Sequence, residues 1–362
     1  MNATGGPGFV QHTWSSVHGV TSPHPKSNTP TSVPASWGFG ASICTPLSVV
    51  PVDDDVCELH ATALGQRLAT LACSSDVEID DCPSATIAAI ADGTGRVAVT
   101  ILGIYGDSGM FAGAGFLTHW LDGGHPRADD AAYRRAVTSR ELVRVAPCTV
   151  IRRLPPFMST SLAIDHRELL PPFMPMLRDE DGVFGAMLAA CCERSYVAHL
   201  PRAILHAAAP GRSYDPDRIT SAKVRRFANV VIELVRATGF GPGSSSVSDR
   251  LTTVGHHLRQ LAACDDADAM ATIRAFHVRA AIRRISRVEA ALRTSEAPVV
   301  WRTDARAYVE TLRDALASDA FYEPWDVDGP DRVPRMRRLL GQLGELLQAW
   351  PALVEAAHIE RL

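Results

Sequence analysis

Two acidic groups and one histidine carry the residue types and spacing that chemistry would need. Asp53-Asp54-Asp55 follows the short β-branched run Leu47-Ser48-Val49-Val50-Pro51-Val52, which reads as a buried strand with carboxylates at its end. On an extended chain Asp53 and Asp55 project to the same side, and hard cations such as Mg2+ and Mn2+ take oxygen ligands of this kind. A solvated acidic turn fits the same triplet. Glu180 and Asp181 precede the apolar positions Val183, Phe184, Met187 and Leu188. Acids favour the first turn of a helix because its exposed N–H groups carry partial positive charge. A carboxylate held there beside a Pro-rich loop suits a general base, and a plain acidic helix cap suits it as well. His206 closes the segment Leu200-Pro201-Arg202-Ala203-Ile204-Leu205, either as a further ligand or as a core histidine.

Several elements must position these groups. Leu59, Ala63, Leu64, Leu68 and Leu71 follow helical spacing, and Arg96 to Tyr105 is the clearest strand in the chain. That strand runs into Gly106-Asp107-Ser108-Gly109, a sequence found around the nucleophile of trypsin-like proteases. The all-β texture of such proteases is missing, and His60 falls on a helical stretch, so a Gly-rich loop at a strand end is the better reading. Phe157 to Leu162 suggests another short strand. Pro171-Pro172-Phe173-Met174-Pro175 cannot be helical, which places the helix start near Glu180. From about Asp215 the texture becomes helical. Val224, Phe227, Ala228, Val231, Leu234 and Val235 form one face, with Gly239 placed as a stop. Further apolar repeats run to Leu347. Within them, Arg274, Arg279, Arg283, Arg284 and Arg287 make one helix strongly basic.

The whole-chain properties narrow the function classes. The chain has 362 residues, an apolar fraction of 46%, a charged fraction of 21% and a formal net charge of −4. These are values of a soluble globular protein, and the net charge argues for neither nucleic acid nor an anionic membrane as partner. No run reaches the ~20 apolar residues of a membrane span, and the start shows no secretory pattern. The eight cysteines form no C-x-x-C pair and read as small buried hydrophobes in a reducing cytoplasm. Three regions are expected: a Ser/Thr/Pro-rich disordered tail over 1–38, an α/β domain over 39–214 and a helical domain over 215–362.

Asp53-Asp54-Asp55 after a strand, Glu180-Asp181 at a helix start and His206 after another apolar segment together resemble nucleotide-sugar glycosyltransferases with the A-type fold. The resemblance covers about Leu47 to Arg212. It implies an α/β mixed sheet of the A-type, incomplete because residues before the triplet lack the β-α-β nucleotide-binding unit of that family. It implies that Asp53 and Asp55, with His206 as a possible third ligand, hold Mn2+ or Mg2+ against the diphosphate of a nucleotide-sugar donor. Asp181, with Glu180 as understudy, would deprotonate the acceptor hydroxyl, and inversion is expected. The acceptor is unknown. The two acidic groups would then face each other across one cleft. The alternative is a catalytically degenerate transferase remnant acting as a scaffold or interaction protein. A metal-dependent phosphohydrolase would use similar acids.

Overall fold

The computed structural model describes residues 55–74, 82–107, 117, 129–138, 141–144, 148–153, 161–206, 213, 215–221, 226–241, 245–294, 297–318, 324, 326–327 and 329–360. The expected tail, the strand Leu47–Val52, Asp53, the loop from Ser108 and Phe157 lie outside these residues.

A mixed sheet organises the first part. Strand β1 (Arg96–Asp107) is its spine and pairs in parallel with β5 (Ser195–His206). The other edge of β1 is shared end to end. β4 (Leu162–Ile164) pairs antiparallel with Val99–Ile101, and β2 (Glu141–Arg144) pairs antiparallel with Ile104–Asp107. β3 (Val150–Arg152) runs antiparallel along the far edge of β5. The register of β1 on β5 slips between Ile101 and Gly103, where β5 passes from His199 to Ala203. Pro201 falls inside that slip, as a residue without an N–H should.

The alternation of side chains along β1 and β5 sends helices to both faces. On one face Val97, Leu102, Tyr196, Ala198 and Leu200 pack against Ala63 and Leu68, which belong to α1 (Val56–Ala61), α2 (Leu68–Ser74) and the turn between them. Leu71 of α2 and Ala89 and Ile90 of α3 (Ser84–Ala91) complete this layer. On the other face Ala98, Val99, Ile101, Ile164 and Val197 pack against Val183, Phe184, Met187 and Leu188 of α5 (Glu180–Cys191). The helix expected across Leu59–Leu71 is therefore two helices. The break falls at Gly65, whose φ of 74° suits glycine, and the Gly65 N–H donates to the Val97 carbonyl.

The helical region comprises α6 (Phe227–Ala237), α7 (Val247–Ala263), α8 (Asp266–Thr294), α9 (Val299–Leu316) and α10 (Arg332–Glu360), after a 3-10 turn at Pro216–Thr220. Gly239 ends α6 with a φ of 53°. The expected boundary at 214/215 does not divide the packing. The core that begins on the sheet continues without a gap through α5, α6, α7, α8 and α10. A second core joins Tyr133 and Val137 of α4 (Asp130–Thr138) to Trp301, Tyr308 and Leu312 of α9 and Val288 of α8. The first of these cores therefore continues from the sheet through α5 into the later helices, while the second is built from helices alone among the described residues. The Trp350 indole N–H of α10 even reaches back to the Leu170 carbonyl at 2.7 Å.

Among the described cysteines, all thiols are free; Cys191 and Cys192 are buried, whereas Cys57, Cys73 and Cys148 are exposed. The expectation that the cysteines are small buried hydrophobes holds for Cys191 and Cys192, is met in part at the half-buried Cys82 and Cys264, and fails for the three exposed ones.

Candidate functional site

The acidic helix start is held by left-handed backbone and close side-chain contacts. Leu177 and Asp179 both adopt left-handed backbone, with φ of 59° and 69°. Two non-glycine residues in that region within three positions store strain of about 1–3 kcal/mol each, which surrounding contacts must hold. The contacts are present. Arg226, just before α6, donates to the Asp179 carboxylate at 2.6 Å. Phe173 of the Pro-rich loop stacks on Phe184 of α5, ring centroids 4.3 Å apart. Gly182 packs so closely on α6 that a Cβ there would stand 3.3 Å from the Ile232 side chain. Glu180 and Asp181 follow as the first residues of α5, half-buried, and the Gly182 N–H donates to Asp181 Oδ1 at 2.7 Å.

The position of this start in the fold follows from helix direction. Ser195 N donates to the Cys192 carbonyl and Arg96 N to the Arg194 carbonyl, so the C-terminal end of α5 lies at the amino ends of β1 and β5. The loop before α5 rises from Glu168, paired with Arg96 at 3.2 Å, past Phe173 to the helix start. At about 1.5 Å per residue, α5 carries its acidic end about 16 Å toward the carboxyl ends of the parallel pair, roughly level with Ile101. In parallel sheets that edge is where ligands bind.

Asp55 lies at a similar level on the opposite face. It caps α1, accepting from the N–H groups of Cys57 at 2.7 Å and Glu58 at 3.4 Å through one carboxylate oxygen. His60 of α1 is buried against the sheet, its Nδ1 2.7 Å from the Thr100 hydroxyl and its Nε2 3.2 Å from that of Ser161. The sheet and two layers of side chains thus separate Asp55 from Asp181, and the single cleft expected between these carboxylates is not formed by them. Asp53 lies outside the described residues. The main chain of His206 ends β5 opposite Gly106, about five strand steps, or ~17 Å, beyond the level of the α5 start. Among the described residues no group of three His, Cys, Asp or Glu side chains converges to hold a metal ion. The described part of the proposed ligand set therefore does not by itself fit a divalent cation.

A different ionic cluster went unrecognised in the sequence. Asp165, 1% exposed, ends β4 and accepts from Arg167 twice, at 2.8 Å from Nε and 2.7 Å from Nη2, with Arg96 at 3.4 Å. Burial pushes the Asp165 carboxyl upward, but the Arg167 hydrogen bonds and the charges of Arg96 and Arg167 outweigh it and hold the group below its ordinary value. The signal was present in the run Asp165-His166-Arg167-Glu168, but nothing local indicated that the aspartate would be buried. This cluster, and a groove of about 360 Å3 between Arg167, Leu169 and the last turns of α10, lie toward the amino ends of the strands, away from Asp181.

No protein-family model, curated protein or solved structure matches the chain. No described helix is long and apolar enough to cross a membrane.

Proposed function

We propose that this chain is an A-type glycosyltransferase-like unit that moves a sugar from a nucleotide-sugar donor to an acceptor hydroxyl, with inversion, and that Asp181 takes the acceptor proton. The observation that carries this reading is the strained, clamped turn Leu177–Asp179, which fixes Glu180 and Asp181 at the first turn of α5, about midway along the parallel strand pair on the side of its carboxyl ends. Strain held in place by an ion pair and a ring stack is typical of segments whose geometry serves chemistry. A hydroxyl is a weak nucleophile, and a carboxylate fixed at a helix start is a suitable group to deprotonate it. Glu180, one residue earlier, serves as the second acid. Mn2+ or Mg2+ would neutralise the departing diphosphate. Since the described carboxylates do not assemble a cation site, no step here runs through the metal.

A second reading draws on Asp55. Its carboxylate is committed to capping α1 on the other face of the sheet, which favours a transferase remnant that has kept the fold and lost turnover, acting as a scaffold. One experiment separates the two. The full chain is titrated calorimetrically with a panel of nucleotide sugars, with and without Mn2+, and assayed for sugar transfer. The transferase reading expects saturable binding, and an Asp181→Asn variant that binds donor normally but transfers at least a hundredfold more slowly. Unchanged transfer in that variant refutes Asp181 as base, and absence of binding heat across the panel favours the scaffold. Release of phosphate from simple phosphoesters would point to a hydrolase instead.

A further inference from the structure

Helix α8 presents an arginine face that the transferase reading does not use. From Ala269 to Val288 the sequence contains five arginines, one histidine and no Asp or Glu, in a chain whose net charge is −4. The fold sorts these residues. Ala269, Ile273, Phe276, Ala280 and Val288 are buried in the two cores, Ala281 is buried as well, and Arg284 turns inward to the Tyr308 hydroxyl at 3.3 Å. Arg279, Arg283 and Arg287 remain exposed, four residues and therefore about 6 Å apart along the axis. Arg279 lies over the Phe276 ring at 4.9 Å, which steadies it without neutralising it. Glu233 of α6 is the carboxylate beside this row, 3.9 Å from Arg283 and shared with Arg236 at 3.6 Å. Among the described residues, Glu233 pairs with this row through Arg283, and Glu289, just past Arg287, pairs with Arg313 of α9. Ile282, 51% exposed, sits within the arginine row.

We propose that this face of α8 docks the chain on an anionic lipid bilayer as a peripheral contact. Like charges at four-residue spacing repel one another on an exposed helix, so the row gains from a surface of opposite charge. Guanidinium groups pair well with phosphodiester oxygens. The exposed isoleucine decides between polyanions. A phosphate backbone offers it no apolar contact, whereas the headgroup region of a bilayer removes it from water. This docking is independent of whether Asp181 transfers sugar.

The test uses the full chain in co-sedimentation with vesicles of phosphatidylcholine alone, or of phosphatidylcholine containing one part in three phosphatidylglycerol, with duplex DNA as a separate titrant. Binding is expected to the anionic vesicles, not to the neutral ones, and to be lost at high salt. Each arginine near the surface contributes about fivefold, so Arg279→Gln, Arg283→Gln and Arg287→Gln together should weaken partitioning on the order of a hundredfold. Ile282→Ser should weaken it several-fold with the same salt dependence. Should the triple variant melt early by circular dichroism, Arg287→Gln alone, expected to lose about fivefold, decides the matter. The proposal is overturned if anionic vesicles fail to bind the chain, if a folded triple variant or Arg287→Gln binds as well as the unmodified chain, or if DNA binds under conditions where vesicles do not.

Discussion

Gly255 of α7 and Gly344 of α10 meet backbone to backbone: a Cβ built on either stands 2.6 Å from the carbonyl oxygen of the other. This is the tight point of the crossing of α7 and α10, the most extensive helix pairing among the described residues, and it lets Leu251, Val254 and Leu258 mesh with Leu340, Leu343 and Leu347 in one core. Neither carbonyl can move without its helix. Gly255→Ala and Gly344→Ala should therefore each destabilise the fold. Overpacking costs about 1–3 kcal/mol and outweighs the gain in helix propensity of about 1 kcal/mol. Gly341 supplies the contrast, since its Cβ would meet Ala262 at an ordinary 3.5 Å. Gly341→Ala should be neutral or stabilising by up to about 1 kcal/mol. Urea denaturation of the three variants checks the ordering.

The Asp165 cluster predicts acid sensitivity. A carboxyl held below its unfolded pKa contributes stability that is present above about pH 4 and lost as pH falls through the folded value. Asp165→Asn should cost about 2 kcal/mol at neutral pH through the lost charged hydrogen bonds. Below about pH 4 the difference between variant and unmodified chain should shrink. A difference that stays constant from pH 7 to pH 3 would show that the fold does not lower the Asp165 pKa.

His60 and His166 predict a second loss at milder pH. Burial lowers the pKa of both; at His166 the charge of Asp165 works against this and that of His358 adds to it. The unfolded chain therefore takes up protons near pH 6.5 that the folded chain refuses, so stability is full above that value and declines as pH drops below it. For His60 the slope can approach about 1.4 kcal/mol per pH unit. His60→Gln should be less stable at pH 7.5 but should lose less on moving to pH 5.5. Equal losses in the two proteins would remove His60 as a source.

Arg226 should hold the acidic helix start in place. Without its hydrogen bond to Asp179, the left-handed backbone at Asp179 loses its partner. Arg226→Met is expected to cost about 1–3 kcal/mol and to raise amide exchange selectively over residues 177–182. If the chain transfers sugar, the turnover number should fall while donor affinity is kept. Amide exchange unchanged in that segment would show that the pair is incidental.

Much of the local structure was legible from periodicity and punctuation. The β-branched run from Arg96 is a strand, extended in the structure to Asp107. The acids at 180 and 181 open a helix, and Gly239 closes one with positive φ. Other features depended on partners distant in sequence. The apolar spacing from Leu59 to Leu71 suited one helix, but the Gly65 and Leu68 N–H groups go to Val97 and Gly95, and strand pairing overrode the helix there. The boundary expected at 214/215 rested on a change of texture, whereas the apolar faces of several later helices join the core that α5 forms on the sheet. At the candidate site, the acidic pair could be placed on a helix start, but its clamp could not, because Arg226 lies far along the chain from Asp179.

The sequence by itself determined the strand from Arg96, the helix that starts at Glu180 and Asp181, and that five arginines share an acid-free stretch, Ala269 to Val288, of one helix. Those features depend on neighbours within a turn or two. Only the tertiary structure decided that Asp55 and Asp181 lie on opposite faces of the sheet, that Asp165 is buried among arginines, and that the arginines of α8 face outward. Which face a residue takes depends on strand register and on helix packing between segments that meet only when the chain folds.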